Sequence, residues 1–366
     1  MARPLKLLAT FFVGHTLACA QPISTALNLK PLNSFGVNAE FLASVDNSQS
    51  LQSVQEAWDH FVQRYDRNGV FIPTIKSMLA QADIPVEFLF MAMAESNFST
   101  NAYSVKKAVG IWQLMPDTAR MLGLQVDNYV DERRDPIKST RAAITYLHML
   151  YKQTKQWYLV AMAYNYGPRR VLEAIQEAGS DDINVLLDDS KRFLPKETRG
   201  YIRSILSLAI AFNNLDALQH KEYLLNRGAY TSLASLKIQG GTLLSSIAKG
   251  AHIPLSQLKS YNHQFHYNFL PPDKAYTVYI PYENLAHFKQ HYKPGNPLHA
   301  FVTHKVKPRE TLYSIARKFH TSVAMLKAMN NLKGSFLSTR QTLLIPILKQ
   351  HPTKGLKKVA QNDVAF

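Results

Sequence analysis

A mainly α-helical domain followed by small α+β modules is the fold class this sequence predicts, and three observations carry it. From Ile72 to about Asn213, apolar residues recur at three- and four-residue spacing in one segment after another, as one face of a helix requires. Beyond residue 230 the pattern gives way to short β-branched pieces, Tyr276-Thr277-Val278-Tyr279-Ile280-Pro281 and Thr342-Leu343-Leu344-Ile345-Pro346. This second part also repeats itself. Leu244-Ser245-Ser246-Ile247-Ala248 matches Leu312-Tyr313-Ser314-Ile315-Ala316, Tyr261-Asn262 matches Met329-Asn330, and Tyr279-Ile280-Pro281 matches Leu344-Ile345-Pro346. Each copy reads strand, helix, helix, strand over roughly 45 residues, a length at which a lone module is marginally stable.

Taken in order, residues 1–20 have the layout of a secretory signal peptide: Arg3 and Lys6, an apolar run from Leu7 to Leu17, then Ala18-Cys19-Ala20. Export from a bacterial cytoplasm is the expectation. Cys19, the only cysteine, rules out a disulfide within the chain and is a candidate lipid-attachment site, while cleavage after Ala20 is the other reading. Residues 21–55, broken by Pro22, Pro31 and Gly36, read as an extended lead-in. A helical domain is expected over 56–222, with a turn at Tyr65-Asp66-Arg67-Asn68-Gly69 and helices over 72–82, 117–122, 139–151, 157–164, 171–178 and 201–213. Asp131-Glu132-Arg133-Arg134-Asp135-Pro136 reads as a charged loop. Residues 1–221 hold 23 Lys+Arg against 21 Asp+Glu, whereas residues 222–366 hold 19 against 5, so nearly all of the +16 lies in the second part. The tail 349–366 is basic.

The chain is organised around Pro85 to Pro116. Pro85 suits a first helical turn and Asp83 could cap it, while Phe88, Met91, Ala92 and Glu95 share one face of the helix that follows. A carboxylate at the end of an apolar stripe is paired, protonated or working, because apolar surroundings penalise its charged form. Helix ends also often carry a Glu that simply reaches solvent or an Arg. What separates the readings is the company of Glu95: Ser96, Ser104, Gly110-Ile111-Trp112-Gln113-Leu114-Met115-Pro116, Ala163-Tyr164-Asn165-Tyr166-Gly167 and Glu197-Thr198-Arg199-Gly200-Tyr201-Ile202.

This set, in this order, resembles the goose-type-lysozyme-like lytic transglycosylases of glycoside hydrolase family 23. The resemblance implies a mainly α lysozyme-like catalytic domain in which Glu95 protonates the glycosidic oxygen of peptidoglycan and then takes the proton from the muramic 6-hydroxyl. Ser104, Gln113 and Met115 would line the cleft. Tyr164 would point its hydroxyl at Glu95, and Asn165 would contact the substrate's acetamido group or hold the Tyr164 loop. Glu197 and Tyr201 would close the sugar groove, and Arg199 would be structural. For Trp112 and Met115 a core role weighs as much as a cleft role. Most glycosidases need two carboxylates, and Glu197 or Asp135 could serve as the second. Lys106 and Lys107 depart from the small residues usual between Ser104 and Gly110, and Tyr166-Gly167-Pro168 is bulkier than that loop usually is.

The repeat resembles LysM, a βααβ module that binds N-acetylglucosamine-containing glycans. Residues 301–348 match it well, with Arg309 where Gly is usual, and 234–283 match in degenerate form. Either module could instead only pack on the catalytic domain. The leader argues against cytoplasmic nucleic acid as the partner of the basic part and for a polyanionic envelope. No metal-ligand spacing or phosphate loop occurs, so no cofactor is expected. Membrane-bound type D enzymes are the nearest likeness in layout; a hydrolytic lysozyme-like muramidase and an inactive wall-binding scaffold are the alternatives.

Overall fold

The computed structural model describes residues 30–37, 69–214, 232–294, 298, 300–330 and 332–347. The leader with Cys19, the turn at residues 65–68 and the basic tail lie outside these residues. Part of the expected lead-in is ordered: Lys30–Phe35 forms a helix, α1, whose buried Phe35 stacks on Phe88 with ring centroids 5.1 Å apart. Six residues are too few to display a helical period in sequence.

The helical region runs α2 (Ile72–Gln81), α3 (Phe88–Ser96), α4 (Pro116–Met121), α5 (Pro136–Thr154), α6 (Trp157–Tyr166), α7 (Pro168–Ala178), α8 (Ile183–Leu186) and α9 (Lys196–Asn214). Several starts fall earlier than the apolar pattern suggests, because Pro116, Pro136 and Pro168 each occupy a first helical turn, where the missing N–H is no loss. Helix α3 corrects the expectation in the other direction. It begins at Phe88, and Asp83 caps nothing there: its φ of +53° places it in the left-handed turn that ends α2. Pro85, Val86 and Glu87 form a turn instead, closed by the Phe88 N–H donating to Pro85 O at 3.0 Å. Nor is α3 one-sided, since every residue from Phe88 to Met93 is buried, as is every residue of α6 from Tyr158 to Ala163. These two apolar helices are the centre of the core, and α9 packs against both. Trp112 is wholly buried and donates from Nε1 to Thr140 Oγ1 at 2.8 Å, which settles it as a core residue.

Two βααβ units follow. In the first, β1 (Leu233–Ile238) pairs antiparallel with β2 (Tyr276–Pro281) around α10 (Leu244–Gly250) and α11 (Leu255–Tyr261). In the second, β3 (Ala300–Lys305) pairs with β4 (Thr342–Ile347) around α13 (Leu312–Lys318) and α14 (Val323–Met329). A helix without a signal in the repeat, α12 (Leu285–His291), packs Phe288 onto the first unit. That unit is joined to the helical region by a short ladder. Val130 bridges Phe265, the Asp131 N–H donates to Gln264 O at 2.9 Å, and the His266 N–H donates to Tyr129 O at 3.0 Å.

Candidate active site

Glu95 is the penultimate residue of α3. Burial is the first cause that pushes its carboxyl up to about 7, against the lowering effect of a hydrogen bond donated by the Tyr201 hydroxyl to Oε1 at 2.7 Å. The negative end of the helix macrodipole, where Glu95 sits, disfavours the carboxylate in the same sense as burial. Helix α3 ends cleanly just beyond it, because Asn97 adopts the left-handed conformation and its N–H closes on Met93 O at 2.8 Å.

The tyrosine that contacts Glu95 is therefore Tyr201, not Tyr164. The Tyr164 hydroxyl donates to Trp112 O at 2.6 Å, so Tyr164 binds the loop opposite Glu95 rather than the carboxylate itself. Both phenols are held well above their ordinary value, first by burial and then by the nearby Glu95 carboxylate, so both stay protonated and act as donors. Chain order alone does not separate the two tyrosines. Tyr201 lies on α9, which packs on α3, whereas Tyr164 lies in the last turn of α6 beside Tyr146, with ring centroids 5.5 Å apart.

The loop from Ser104 to Met115 forms the adjoining wall. It is a tight double turn: Ser104 Oγ accepts from the Ala108 N–H at 3.0 Å, and Gln113, at φ +44°, donates from Nε2 to Gly110 O at 2.9 Å. Ser104 and Gln113 thus shape this wall. Met115 is 43% exposed, which removes it from the core. Ser96 ties the wall to α3 by donating from Oγ to Ile111 O at 2.8 Å. Gly110 is obligatory there, since at φ +81° a Cβ would stand 2.0 Å from Arg133 O. Asn165 Oδ1 accepts from Thr198 Oγ1 at 2.9 Å, which fastens the end of α6 to α9. Glu197 is exposed one turn before Tyr201. Arg199 bonds Asp189 at 2.8 Å and the Leu194 carbonyl and so braces the loop before α9.

Asp135 is fully engaged elsewhere. Its Oδ1 caps α5 by accepting from the Ile137 and Lys138 N–H groups, and it also accepts from the Tyr279 hydroxyl of the first βααβ unit at 2.9 Å. A carboxyl so occupied is unavailable as a second catalytic acid. Sequence reading missed the buried Asp131–Arg133 pair beside the site, because a run of charges normally signals a solvated loop. Here Asp131, Glu132, Arg133 and Asp135 are all buried. The near balance of acid and base in Asp131-Glu132-Arg133-Arg134-Asp135 was the available signal for internal pairing. Among the described residues no group of three or more His, Cys, Asp or Glu side chains is placed to hold a metal.

Known proteins resemble both parts of the chain. The family described as Transglycosylase SLT domain matches residues 73–187, that described as Lytic transglycosylase MltD, LysM-like domain matches 232–296, and LysM domain matches 304–346. Membrane-bound lytic murein transglycosylase D of Escherichia coli, from strains K12 and O6:H1, is 28% identical over 289 residues. The match takes in 74% of this chain, which spans 62% of the length of those relatives. A protein of an Alteromonas strain named for tributyltin chloride resistance is 39% identical over 102 residues, 28% of this chain and 49% of its own length. The solved lytic transglycosylase Slt of Pseudomonas aeruginosa, an inactive mutant, is 24% identical over 37% of this chain and 22% of that one, with a TM-score of 0.32. The chain thus carries a transglycosylase SLT domain around Glu95, with an MltD-type LysM-like domain and a LysM domain behind it, and over these parts it is similar to lytic murein transglycosylases of the MltD type.

Proposed function

We propose that this protein is a peptidoglycan lytic transglycosylase. It cleaves the β-1,4 bond between N-acetylmuramic acid and N-acetylglucosamine and leaves 1,6-anhydromuramic ends. The observation that carries the reading is the state of Glu95: a carboxyl pushed up to about 7 holds a proton near neutrality, and one neutral donor, Tyr201, steadies it. Protonated Glu95 gives its proton to the glycosidic oxygen as the bond to the anomeric carbon breaks. The substrate's own N-acetyl oxygen stabilises the cationic centre. The Glu95 carboxylate then removes the proton of the muramic 6-hydroxyl, whose oxygen bonds to the anomeric carbon. The enzyme ends protonated as it began, and no water is consumed. Asp135 is sequestered and Glu197 is exposed, which favours this one-carboxylate route over a hydrolytic one.

Residues 56–222 act as the catalytic unit in this reading, with 234–283 and 301–348 as the LysM-like modules. The signal peptide over 1–20 and the membrane-bound relatives support a place in the cell envelope, in the periplasm or tethered by lipid on Cys19. No helix among the described residues is long and apolar enough to cross a membrane. The second module and the basic charge beyond residue 221 support attachment to glycan strands bearing acidic peptides. The test is the mass of the muropeptide ends released from purified sacculi. Anhydro ends, one water lighter than reducing ends, are the expected product. Reducing ends would mean hydrolysis, with Glu197 the first carboxylate to substitute, and an uncut polymer would mean a scaffold.

A further inference from the structure

We propose that Arg133 is a positioning residue for the Glu95 site and that the first βααβ module holds it in place, so that this module braces the wall of the active site from behind rather than serving only as a tethered glycan binder. The inference rests on the activity proposed above. Its geometry begins at the Arg133 guanidinium, which is buried and uses every face. Nε and Nη2 donate to the Asp131 carboxylate at 2.9 and 2.8 Å, and Nη1 donates to Lys107 O at 2.8 Å and to Leu114 O at 3.0 Å. Those carbonyls lie at two points of the wall loop, one on each side of Gly110 to Gln113. The same loop gives Ile111 O to Ser96 and Trp112 O to Tyr164, the residues beside Glu95. Arg133 O also lies where a Gly110 side chain would be, so backbone and side chain of one residue both bear on this loop.

Arg133 is held from the other side by the module. The Asp131 N–H reaches Gln264 O, and Tyr279 Oη reaches Asp135 at the far end of the same 3-10 turn, Glu132–Arg134. Val130 belongs to the module's own apolar core, and Thr100 Oγ1 makes a hydrogen bond with His263 Nδ1 at 2.6 Å. A buried arginine with two carboxylate contacts and two carbonyl contacts in a planar fork has one orientation, and Lys cannot reproduce it. Removing it releases the loop and admits water toward Glu95. Because burial is the main cause of the raised Glu95 carboxyl, water would bring it down. The phenols of Tyr164 and Tyr201 face Glu95, and none of the substitutions below replaces them.

The test follows the Glu95 carboxyl by carbon NMR across pH in the full chain with labelled glutamate, its signal assigned by its loss in Glu95→Gln. It needs no turnover, so it stands even if the released ends refute the proposed activity. Wild type should titrate at about 7. Arg133→Met should titrate at about 6 or lower, Arg133→Lys between the two, and Tyr279→Phe should move the same way by less. In turnover, Arg133→Lys should lose about 10- to 100-fold in kcat with KM little changed. A cooperatively folded Arg133→Lys, or Arg133→Met, whose Glu95 titrates as in wild type would overturn the positioning role. If the Arg133 variants shift but Tyr279→Phe does not, the module's part in it is overturned. Should Arg133→Met fail to fold, Arg133→Lys and Tyr279→Phe decide.

Discussion

The two βααβ modules are built alike and placed differently. In each, one asparagine after the second helix clasps the closing strand. Asn262 donates from Nδ2 to Leu258 O and Tyr279 O and accepts from the Tyr279 N–H, while Asn330 does the same with Leu326 O, Leu344 O and the Leu344 N–H, all at 2.7 to 2.9 Å. Each also takes a left-handed residue three positions before its first helix, Gly241 at φ +79° and Arg309 at φ +67°. Yet the strand clasped by Asn262 carries Tyr279 into the helical domain, against Asp135 and against Phe71 at 6.2 Å between ring centroids. The strand clasped by Asn330 carries Leu344 into a smaller cluster with Phe269, Phe301 and Met329. The second module meets the rest of the described chain through Phe269, Tyr129 and Leu298. One scaffold is thus placed in two ways, and the clasped position differs with it: Tyr279 in the first module, Leu344 in the second.

Substitutions at matched positions should expose that difference, beginning with the most damaging. Gly241→Ala would place a Cβ 2.1 Å from Leu298 O at a positive φ, so it should cost about 3 kcal/mol or more and lower activity with it. Asn262→Ala leaves buried backbone groups of β2 unpaired and should cost about 3 kcal/mol in the stability of the catalytic unit. Asn330→Ala, in a half-buried setting, should cost about 2 kcal/mol, confined to sacculus binding. Calorimetry together with turnover separates these, and equal losses of activity in the two asparagine variants would refute the contrast.

The buried Glu95 carboxyl also carries a stability cost that the second module should not affect. Glu95 is raised from 4.5 to about 7 on folding. Below pH 4.5 both folded and unfolded chains hold the proton and nothing is lost. As pH rises through 4.5 to 7 the unfolded chain ionises first, so stability falls, and above pH 7 the full penalty applies. Glu95→Gln should therefore stabilise the protein by up to about 3 kcal/mol at pH 8, with the gain gone at pH 4. Denaturant melts of chains with and without the second module should give the same gain. The smallest effect is Arg309→Gly, which relieves a left-handed arginine and should stabilise the second module by about 1 kcal/mol, read as a rise in its Tm.

Local periodicity and the repeat made the helices, the two βααβ units and Glu95 legible in sequence. The pairing of Asn262 with Asn330 was visible in the repeat, though the strand each one clasps was not. What escaped depends on contacts between distant segments. Tyr164 and Tyr201 are equally plausible partners for Glu95 until α9 is seen to pack on α3. The charged run at 131–135 looks like solvent-facing loop until Gln264 and Tyr279 cover it. Helix α3 looks one-sided in sequence because Phe88, Met91, Ala92 and Glu95 share a face, yet Leu89, Phe90 and Met93 are buried as well. The sequence also invites a cut near Asn226 that leaves a self-sufficient catalytic domain, and the structure argues against it, because that cut strips Val130, Phe71 and Asp135 of their cover.

The central claim, that the first module belongs to the catalytic machinery while the second holds the glycan, is tested most directly by two shortened chains assayed side by side. One ends at His299, which keeps Leu298 against Gly241, and the other ends at Asn226. Release of anhydro-muropeptides from sacculi and retention on them are both measured. The chain ending at His299 should cleave at close to the full-length rate and lose its hold on sacculi, whereas the chain ending at Asn226 should lose at least about 100-fold in cleavage. Full cleavage by the chain ending at Asn226 would contradict the account.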